Sequence, residues 1–320
     1  LIKIIHHNII YKQLFFSLEM RFSLVIPVAP ERDAKILDSI KELDYPKKDF
    51  EIIVENGRNP SENRNKGIKK ARGEFIIFLD DDAYVKQDYL KKIKNFFDKY
   101  PVIDIVGGPQ LTSKNENFFA RMSGIVLTSN FGVYKIRKRY VSEKINCDAD
   151  ETFLTSANLC ARKKVFEKIR GFNTNLFPGE DPEFIFRAKK AGLKIACNPE
   201  MIIYHKRRGN FSSYCRQIFS YGFTRPKKDK ISGKTNLLFL VPLIFSIYFL
   251  LLPTLFLLNY FLLIPFIMHV SLSIIFSICN SLKNKSFLGI FILPFLYLFT
   301  HLTYGLGMLA GYFDRGEISK

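Results

Sequence analysis

The sequence predicts an α/β domain on a doubly wound parallel sheet, followed by a membrane-spanning helical region. Three observations predict it. Strand-like and helix-like stretches alternate from Phe22 to Val106. An apolar strand, Phe75 to Leu79, runs straight into Asp80-Asp81-Asp82. Leu237 to Leu282 is a run of 46 residues without one Asp, Glu, Lys or Arg. A β-α-β-α-β order closes into a parallel sheet with helices on both faces, and 320 residues suffice for one such domain and a further region.

In chain order, Phe22-Ser-Leu-Val-Ile-Pro-Val28 reads as a buried first strand. Asp33 is expected to cap a helix to about Leu43, and Phe50-Glu-Ile-Ile-Val54 to form a second buried strand. Ser61 is expected to cap a helix closing at Gly73, with Lys69, Lys70 and Arg72 in its last turn, where cations suit the helix dipole. The third strand is Phe75 to Leu79. A helix from about Asp88 to Tyr100 and a fourth strand, Ile103 to Val106, follow. Residues 1–19 mix His6, His7, Lys12 and Glu19 with short apolar pieces. That is not the layout of a cleavable signal, and they are expected to be an extension ahead of Met20.

The net charge of +18 is uneven. The first 235 residues hold 44 basic and 28 acidic side chains; beyond them stand only Lys283, Lys285, Arg315 and Lys320 against Asp314 and Glu317. Such an excess suits nucleic acid, an anionic membrane face or phosphorylated substrates. The five cysteines (Cys147, Cys160, Cys197, Cys215, Cys279) form no Cys-x-x-Cys pair, so neither a zinc ribbon nor a disulfide framework is expected, and a reducing, cytoplasmic setting is.

A helix needs about 20 apolar residues to cross hydrocarbon, so the uncharged run holds two spans, with Pro253 and Leu258-Asn259-Tyr260 marking the turn. Ser286 to Phe313 makes a third. Arg225-Pro-Lys-Lys-Asp-Lys230 and Lys234 precede the first span, and Lys283 and Lys285 separate the second from the third. By the positive-inside rule both clusters lie inside, and the balanced tail lies outside. The expected organisation is an extension at 1–19, a soluble domain at 20–225, a basic juxtamembrane linker at 226–236, three transmembrane helices at 237–313 and a tail at 314–320.

Clustered carboxylates repel one another unless a cation or solvent relieves them. The carboxyl end of a strand in a parallel sheet is also where ligands bind. Asp80-Asp81-Asp82 is therefore a candidate site for a hard divalent cation on a phosphorylated substrate; in isolation, a solvated acidic turn would be the plainer reading, and the strand context favours the cation. Glu180-Asp181 opens a helix whose Phe184, Ile185 and Ala188 face inward, and there the plain reading is an N-terminal cap. Phe211, Tyr214, Arg216, Ile218, Phe219 and Tyr221 form a basic-aromatic stretch suited to a headgroup layer.

Several motifs in order carry a resemblance. They are Ser23-Leu-Val-Ile-Pro27-Val28, Glu51-Ile-Ile-Val54-Glu55-Asn56-Gly57, and Asn63-Arg64-Asn65-Lys66-Gly67 through Gly73-Glu74 into the Asp triplet. Thr155-Ser156-Ala157-Asn158, Gly171-Phe172-Asn173 and Gly179-Glu180-Asp181-Pro182-Glu183-Phe184 follow. Over roughly Phe22 to Arg225 the chain resembles the inverting, nucleotide-sugar-dependent glycosyltransferases of the GT-A fold, the large family two group. With the C-terminal spans it looks like the succinoglycan-type glucosyltransferases of exopolysaccharide assembly.

The resemblance implies a GT-A (nucleotide-diphospho-sugar transferase) Rossmann-like sheet and a set of roles. Asp82 and Asp80, with His205, would hold Mg2+ or Mn2+; His205, after Met201-Ile-Ile-Tyr204, has an equally ready structural reading. Pro27, Val28, Glu55, Arg64, Asp80 and Asp81 would bind the donor, although Glu55 stands where the family usually carries Asp. Arg64 is otherwise an ordinary helix-face arginine. Asp181 would be the catalytic base and Glu180 would position acceptor or base. Asn158, Arg207, Arg208 and Arg216 would contact acceptor or phosphate. Arg216-Gln217 replaces the Gln-x-x-Arg-Trp motif of the processive synthases, and the chain has no tryptophan, so processive synthesis is not expected.

The implied enzyme moves a sugar from a nucleotide-diphosphate donor to a lipid-linked saccharide. It would be a multi-pass protein of the cell membrane with its catalytic domain in the cytoplasm and no nucleic-acid partner. A polyprenyl-phosphate monosaccharide synthase is a second reading. A third, from another class, is a non-catalytic membrane-tethered nucleic-acid or lipid binder, explained by charge alone.

Overall fold

The computed structural model describes residues 20–233, 235 and 237–314. The expected extension at 1–19, Lys234 and the tail residues Arg315, Glu317 and Lys320 lie outside the described residues.

Strands β1 (Phe22–Val28), β2 (Phe50–Asn56) and β3 (Phe75–Leu79) pair in parallel, with β1 between the other two. All seven residues of β1 are buried, as its apolar run requires for a strand covered on both faces. The rest of the sheet departs from the all-parallel expectation. In the six-stranded order β2-β1-β3-β7-β5-β8, β7 (Asn158–Arg162) runs antiparallel to both β3 and β5 (Ile105–Gly107), and β8 (Ile195–Cys197) is parallel to β5. The reason lies in the preceding chain. Helices α4 (Phe118–Thr128) and α5 (Asn130–Val133) pack on the C-terminal helices instead of crossing over the sheet, so no right-handed crossover delivers β7. β2 is also not fully buried: as the edge strand it leaves Ile52 41% and Val54 39% exposed.

Two apolar layers cover the sheet. On one face Phe22, Leu24, Ile26 and Ile77 pack with α1 (Ile36–Lys41) and α3 (Tyr89–Lys99). On the other, Val25, Ile76 and Phe78 meet α6 (Lys163–Ile169) and α7 (Glu180–Lys190), with Phe184, Ile185 and Ala188 turned inward as expected. Between β2 and β3 runs α2 (Pro60–Lys70), which lies close on β1: a Cβ at Gly67 would fall 2.3 Å from Val25 Cγ1.

Two caps differ from expectation. Asn59, not Ser61, caps α2, accepting from the amides of Ser61 and Glu62 with Pro60 at the first position. Asp33 does not cap α1, which starts after Lys35; the Ile36 amide donates instead to the Asp81 carbonyl, 3.1 Å away.

A small second sheet, ordered β4-β9-β6, joins β4 (Ala83–Val85), β9 (Ile203–His205) and β6 (Gln110–Leu111). Its antiparallel register sets His205 opposite Ala83, one residue past the Asp triplet.

Helix α8 spans Phe211–Ser232, so residues 226–232 continue a helix where a linker was expected. It buries Tyr214 and Ile218, and leaves Phe211, Phe219 and Tyr221 about 40% exposed. Then come α9 (Val241–Leu258), α10 (Ile264–Lys283) and α11 (Gly289–Phe313), which belong to three stretches long and apolar enough to cross a membrane. The first two are divided at Asn259, whose side chain accepts from the Phe261 amide; Pro253 lies within α9 and makes no turn.

Candidate active site

Four elements converge at the carboxyl ends of β1–β3. The parallel register pairs Pro27 with Glu55 and Val28 with Asn56, and Asp80 follows the last residue of β3. A cluster of alternating charge forms there because β4 and β9 bring His205 to the Asp triplet, α2 supplies Arg64, and α7 supplies Glu180.

His205 Nε2 lies 3.3 Å from Asp80 and 3.2 Å from Asp82, while its Nδ1 is 3.0 Å from the Lys206 carbonyl. With Nδ1 donating to that carbonyl, a protonated ring donates from Nε2 to the carboxylates, whereas a neutral ring would turn its Nε2 lone pair to a cation between them, the arrangement of a metal-binding histidine held by a backbone oxygen. One ligand atom each from Asp80, Asp82 and His205 falls within 4.8 Å of the others. Two hard carboxylate oxygens and an imidazole suit Mg2+ or Mn2+, which keep further positions for phosphate oxygens. The residues present therefore fit such a cation.

In this structure protein cations balance the same carboxylates. Arg32 lies 3.0 Å from Asp81 and 2.9 Å from Asp82, and Arg64 3.1 Å from Asp80. Burial would raise the Asp80 carboxyl, but the His205 hydrogen bond and the Arg64 charge overcome it and hold Asp80 at about 2. Asp81 goes the other way: burial outweighs Arg32, and with the charges of Asp82 and Asp80 pushes it up to about 6. Burial opposes charge on His205, yet the Asp80 hydrogen bond and the Asp82 charge raise it above its ordinary value. Sequence reasoning missed Arg32; its signal was a lone arginine four residues past the end of β1.

Arg64 joins the two halves of the site. Its buried guanidinium donates to Asp80 at 3.1 Å and to Glu180 at 3.0 Å, and lies 5.6 Å from the Phe172 ring centroid. A planar fork spans two carboxylates in a way an ammonium cannot. Glu180 also accepts from the Gly179 amide at 3.0 Å, so the bend before α7 fixes its carboxylate. Next to it, Asp181 has a buried Oδ1 with no hydrogen-bond partner among the described residues. A buried carboxylate oxygen without a partner carries an unmet desolvation cost, which a ligand hydroxyl relieves.

Burial, with the Asp181 charge beside it, pushes the Glu180 carboxyl up to about 7 against the pull of Arg64. An unfolded glutamate titrates near about 4.3, so the folded state binds this proton more tightly. The stability it contributes is whole below about pH 4 and is lost as pH rises through about 7. Glu180→Gln keeps the shape and removes the titration. The fall in wild-type Tm between about pH 5 and pH 8 should flatten in Glu180→Gln, and an unchanged slope contradicts the assignment.

The other expected site residues differ in their surroundings. Glu55 is buried at the end of β2 with Lys70 Nζ 2.6 Å away. Asn158 does not join the group: its side chain is 1% exposed, accepts from Tyr89 Oη at 2.6 Å and donates to the Met201 carbonyl at 2.6 Å. Those bonds tie β7 to its neighbours and use the amide up, so an acceptor contact at Asn158 is corrected to a framework role. Arg207 is likewise buried, donating to Thr112 Oγ1 at 3.1 Å and to the Gln110 carbonyl, 4.8 Å from the Tyr140 ring centroid. Burial lowers its pKa. Arg208 and Arg216 are exposed.

A family model described as glycosyl transferase family group 2 matches residues 75–278. The chain belongs to that family. With its mixed sheet it is a glycosyltransferase of the GT-A fold. It is 24% identical over 269 residues to the dolichyl N-acetyl-alpha-D-glucosaminyl phosphate 3-beta-D-2,3-diacetamido-2,3-dideoxy-beta-D-glucuronosyltransferase of Methanococcus voltae, covering 72% of this chain and 79% of the relative. Over a shorter stretch of 111 residues it is 29% identical to the poly(ribitol-phosphate) beta-N-acetylglucosaminyltransferase TarS of Staphylococcus aureus, which spans 25% of this chain and 19% of TarS. Among solved structures, the mannosyltransferase PcManGT of Pyrobaculum calidifontis, in complex with GDP-Man and Mn2+, matches with a TM-score of 0.52. The match covers 92% of this transferase and 88% of that chain at 16% identity, a likeness of fold.

Proposed function

We propose that this transferase moves a sugar from a nucleotide-diphosphate donor to a lipid-linked saccharide, by single displacement with inversion, at the cytoplasmic face of the cell membrane. The observation that carries the reading is the unpartnered Asp181 carboxylate oxygen. It stands beside Glu180, which Arg64 links to Asp80 and hence to the Asp80–Asp82–His205 group.

Pro27, Val28 and Glu55, at the ends of β1 and β2, cradle the nucleoside, with Glu55 accepting from a base N–H. Asp82, Asp80 and His205 would hold Mg2+ or Mn2+, which would supply positive charge to offset that of the leaving diphosphate. Arg64 keeps Asp80 ionised and Glu180 in place, so both halves of the site are set before substrate arrives. Asp81, less acidic than Asp80, pairs with Arg32 beside the diphosphate. Asp181 accepts the proton of the acceptor hydroxyl while that oxygen bonds to the anomeric carbon and the bond to the diphosphate breaks. Glu180 orients the acceptor, and Arg208 and Arg216 meet its phosphate.

Two facts support a lipid-linked acceptor. The helices after α8 are long and apolar enough for a membrane, and the name of the Methanococcus relative places its own acceptor on dolichyl phosphate. The test is to release the labelled product from lipid by mild acid and size it. A disaccharide or longer supports transfer to a saccharide; a labelled monosaccharide shows the lipid phosphate to be the acceptor and overturns the reading.

A further inference from the structure

The three apolar helices do not have equal surroundings. Helix α11 touches the catalytic domain from end to end. Near its start Leu293, Leu296 and Tyr297 share a buried cluster with Met122, Ile125 and Val126 of α4. Midway, Thr300 Oγ1 is 2.7 Å from the buried Tyr214 hydroxyl of α8, and His301 Nε2 is 2.8 Å from the Phe131 carbonyl of α5.

The last turns are closer still. A Cβ at Gly307 would lie 2.2 Å from the Phe219 carbonyl oxygen, and one at Gly311 2.1 Å from that of Phe223. In return, a Cβ at Gly222 of α8 would lie 2.1 Å from the Tyr304 carbonyl. Only glycine permits this backbone-to-backbone approach. Just past the helix end, Asp314 pairs with Lys227 Nζ at 2.6 Å.

Helix α8 is not a hydrocarbon-embedded partner. It carries Arg216, Arg225, Lys227, Lys228, Asp229 and Lys230, and a charge at mid-bilayer costs about 2.5–3.5 kcal/mol or more. The half of α11 fixed to α8 must therefore lie level with the catalytic domain. Helices α9 and α10 differ: only 11% of the most apolar stretch of each is buried, against 33% in α11. Apart from Lys283, the last residue of α10, they fall within the 46-residue uncharged run, and they show lipid-suited side chains outward, among them Leu250, Leu257, Met268 and Ile275. On its inner side α10 buries Ser273, Ser277 and Ser281, small residues one turn apart.

Both ends of the α9–α10 excursion return to the domain. The Pro242 carbonyl at the start of α9 would be 2.1 Å from a Cβ at Gly305. Near the end of α10, Asn280 Nδ2 is 3.0 Å from Tyr297 Oη and 3.4 Å from Ser129 Oγ.

We propose that the surface meeting lipid is the outward face of α9 and α10, while α11 is a scaffold helix of the catalytic domain, so that the chain at Asp314 lies on the catalytic side. This rests on the membrane reading above. It replaces the expected third span and outside tail, because an alternating third span would carry Asp314 across the bilayer from Lys227.

The test uses the full chain in bacterial inner membrane, with a biotin-acceptor peptide at the N-terminus in one version and after Lys320 in another. Cytoplasmic biotin ligase should mark both versions equally. Separately, a zero-length carbodiimide should join Lys227 to Asp314 in intact membranes, seen as one linked peptide pair by mass spectrometry and lost in Asp314→Asn. Membrane retention with only the N-terminal peptide marked overturns the scaffold role of α11 and leaves the membrane reading standing. Release of the chain by a carbonate wash overturns the membrane reading itself, and the lipid-facing surface with it.

Discussion

Replacing Asp181 with Asn is expected to lower transfer to a hydroxyl acceptor by roughly 10²- to 10⁴-fold, the range a positioned general base contributes. The substitution is nearly isosteric, and Asp181 Oδ1 has no hydrogen-bond partner among the described residues, so no hydrogen bond to that oxygen is lost. The loss should therefore fall on kcat, with donor affinity and Tm close to wild type. An acceptor phosphate is already ionised and needs no base. The same variant offered a polyprenyl phosphate would lose far less. Full activity of Asp181→Asn with a sugar acceptor would remove Asp181 from the base role.

Asp82→Ala carries the second large effect. Asp82 faces His205 at 3.2 Å and Arg32 at 2.9 Å, so its removal deletes a proposed ligand and leaves two cations facing fewer carboxylates. Lewis-acid help to a leaving diphosphate is worth several kcal/mol, about 10²-fold or more in rate. Activity should fall by at least that much. The rise in wild-type Tm on adding Mn2+ with a nucleoside diphosphate should also vanish, because a ligand that binds only the folded state stabilises it by mass action. A Tm rise of wild-type size in Asp82→Ala would exclude Asp82 as a ligand.

The strands were legible where local pattern decides structure. The apolar run of β1 and the abrupt stop of β3 at Asp80 follow from burial on both faces and a polar strand end. The direction of β7 was not legible, because five residues pair with a strand some 80 positions earlier and no local feature states their sense. Edge position hid the exposure of Ile52 and Val54 for the same reason: it depends on which strand lacks a neighbour.

At the site, the carboxylates could be found from spacing and resemblance, since Asp80, Asp82 and Asp181 sit at element ends. Their cations could not all be found so. Arg32 reaches the triplet from the loop after β1, while Asn158 and Arg207 looked available but spend their polar atoms inside the framework. The apolar run told where helices would form. It did not tell that glycines 307 and 311 would press the last helix onto α8.

The most direct test is to incubate membranes bearing the full chain with a panel of labelled nucleotide sugars, with and without Mn2+, and then extract the lipids. Label from one donor, appearing in the organic phase only when metal is present, is the predicted result. Label in soluble products, or in lipid regardless of metal, would contradict the account.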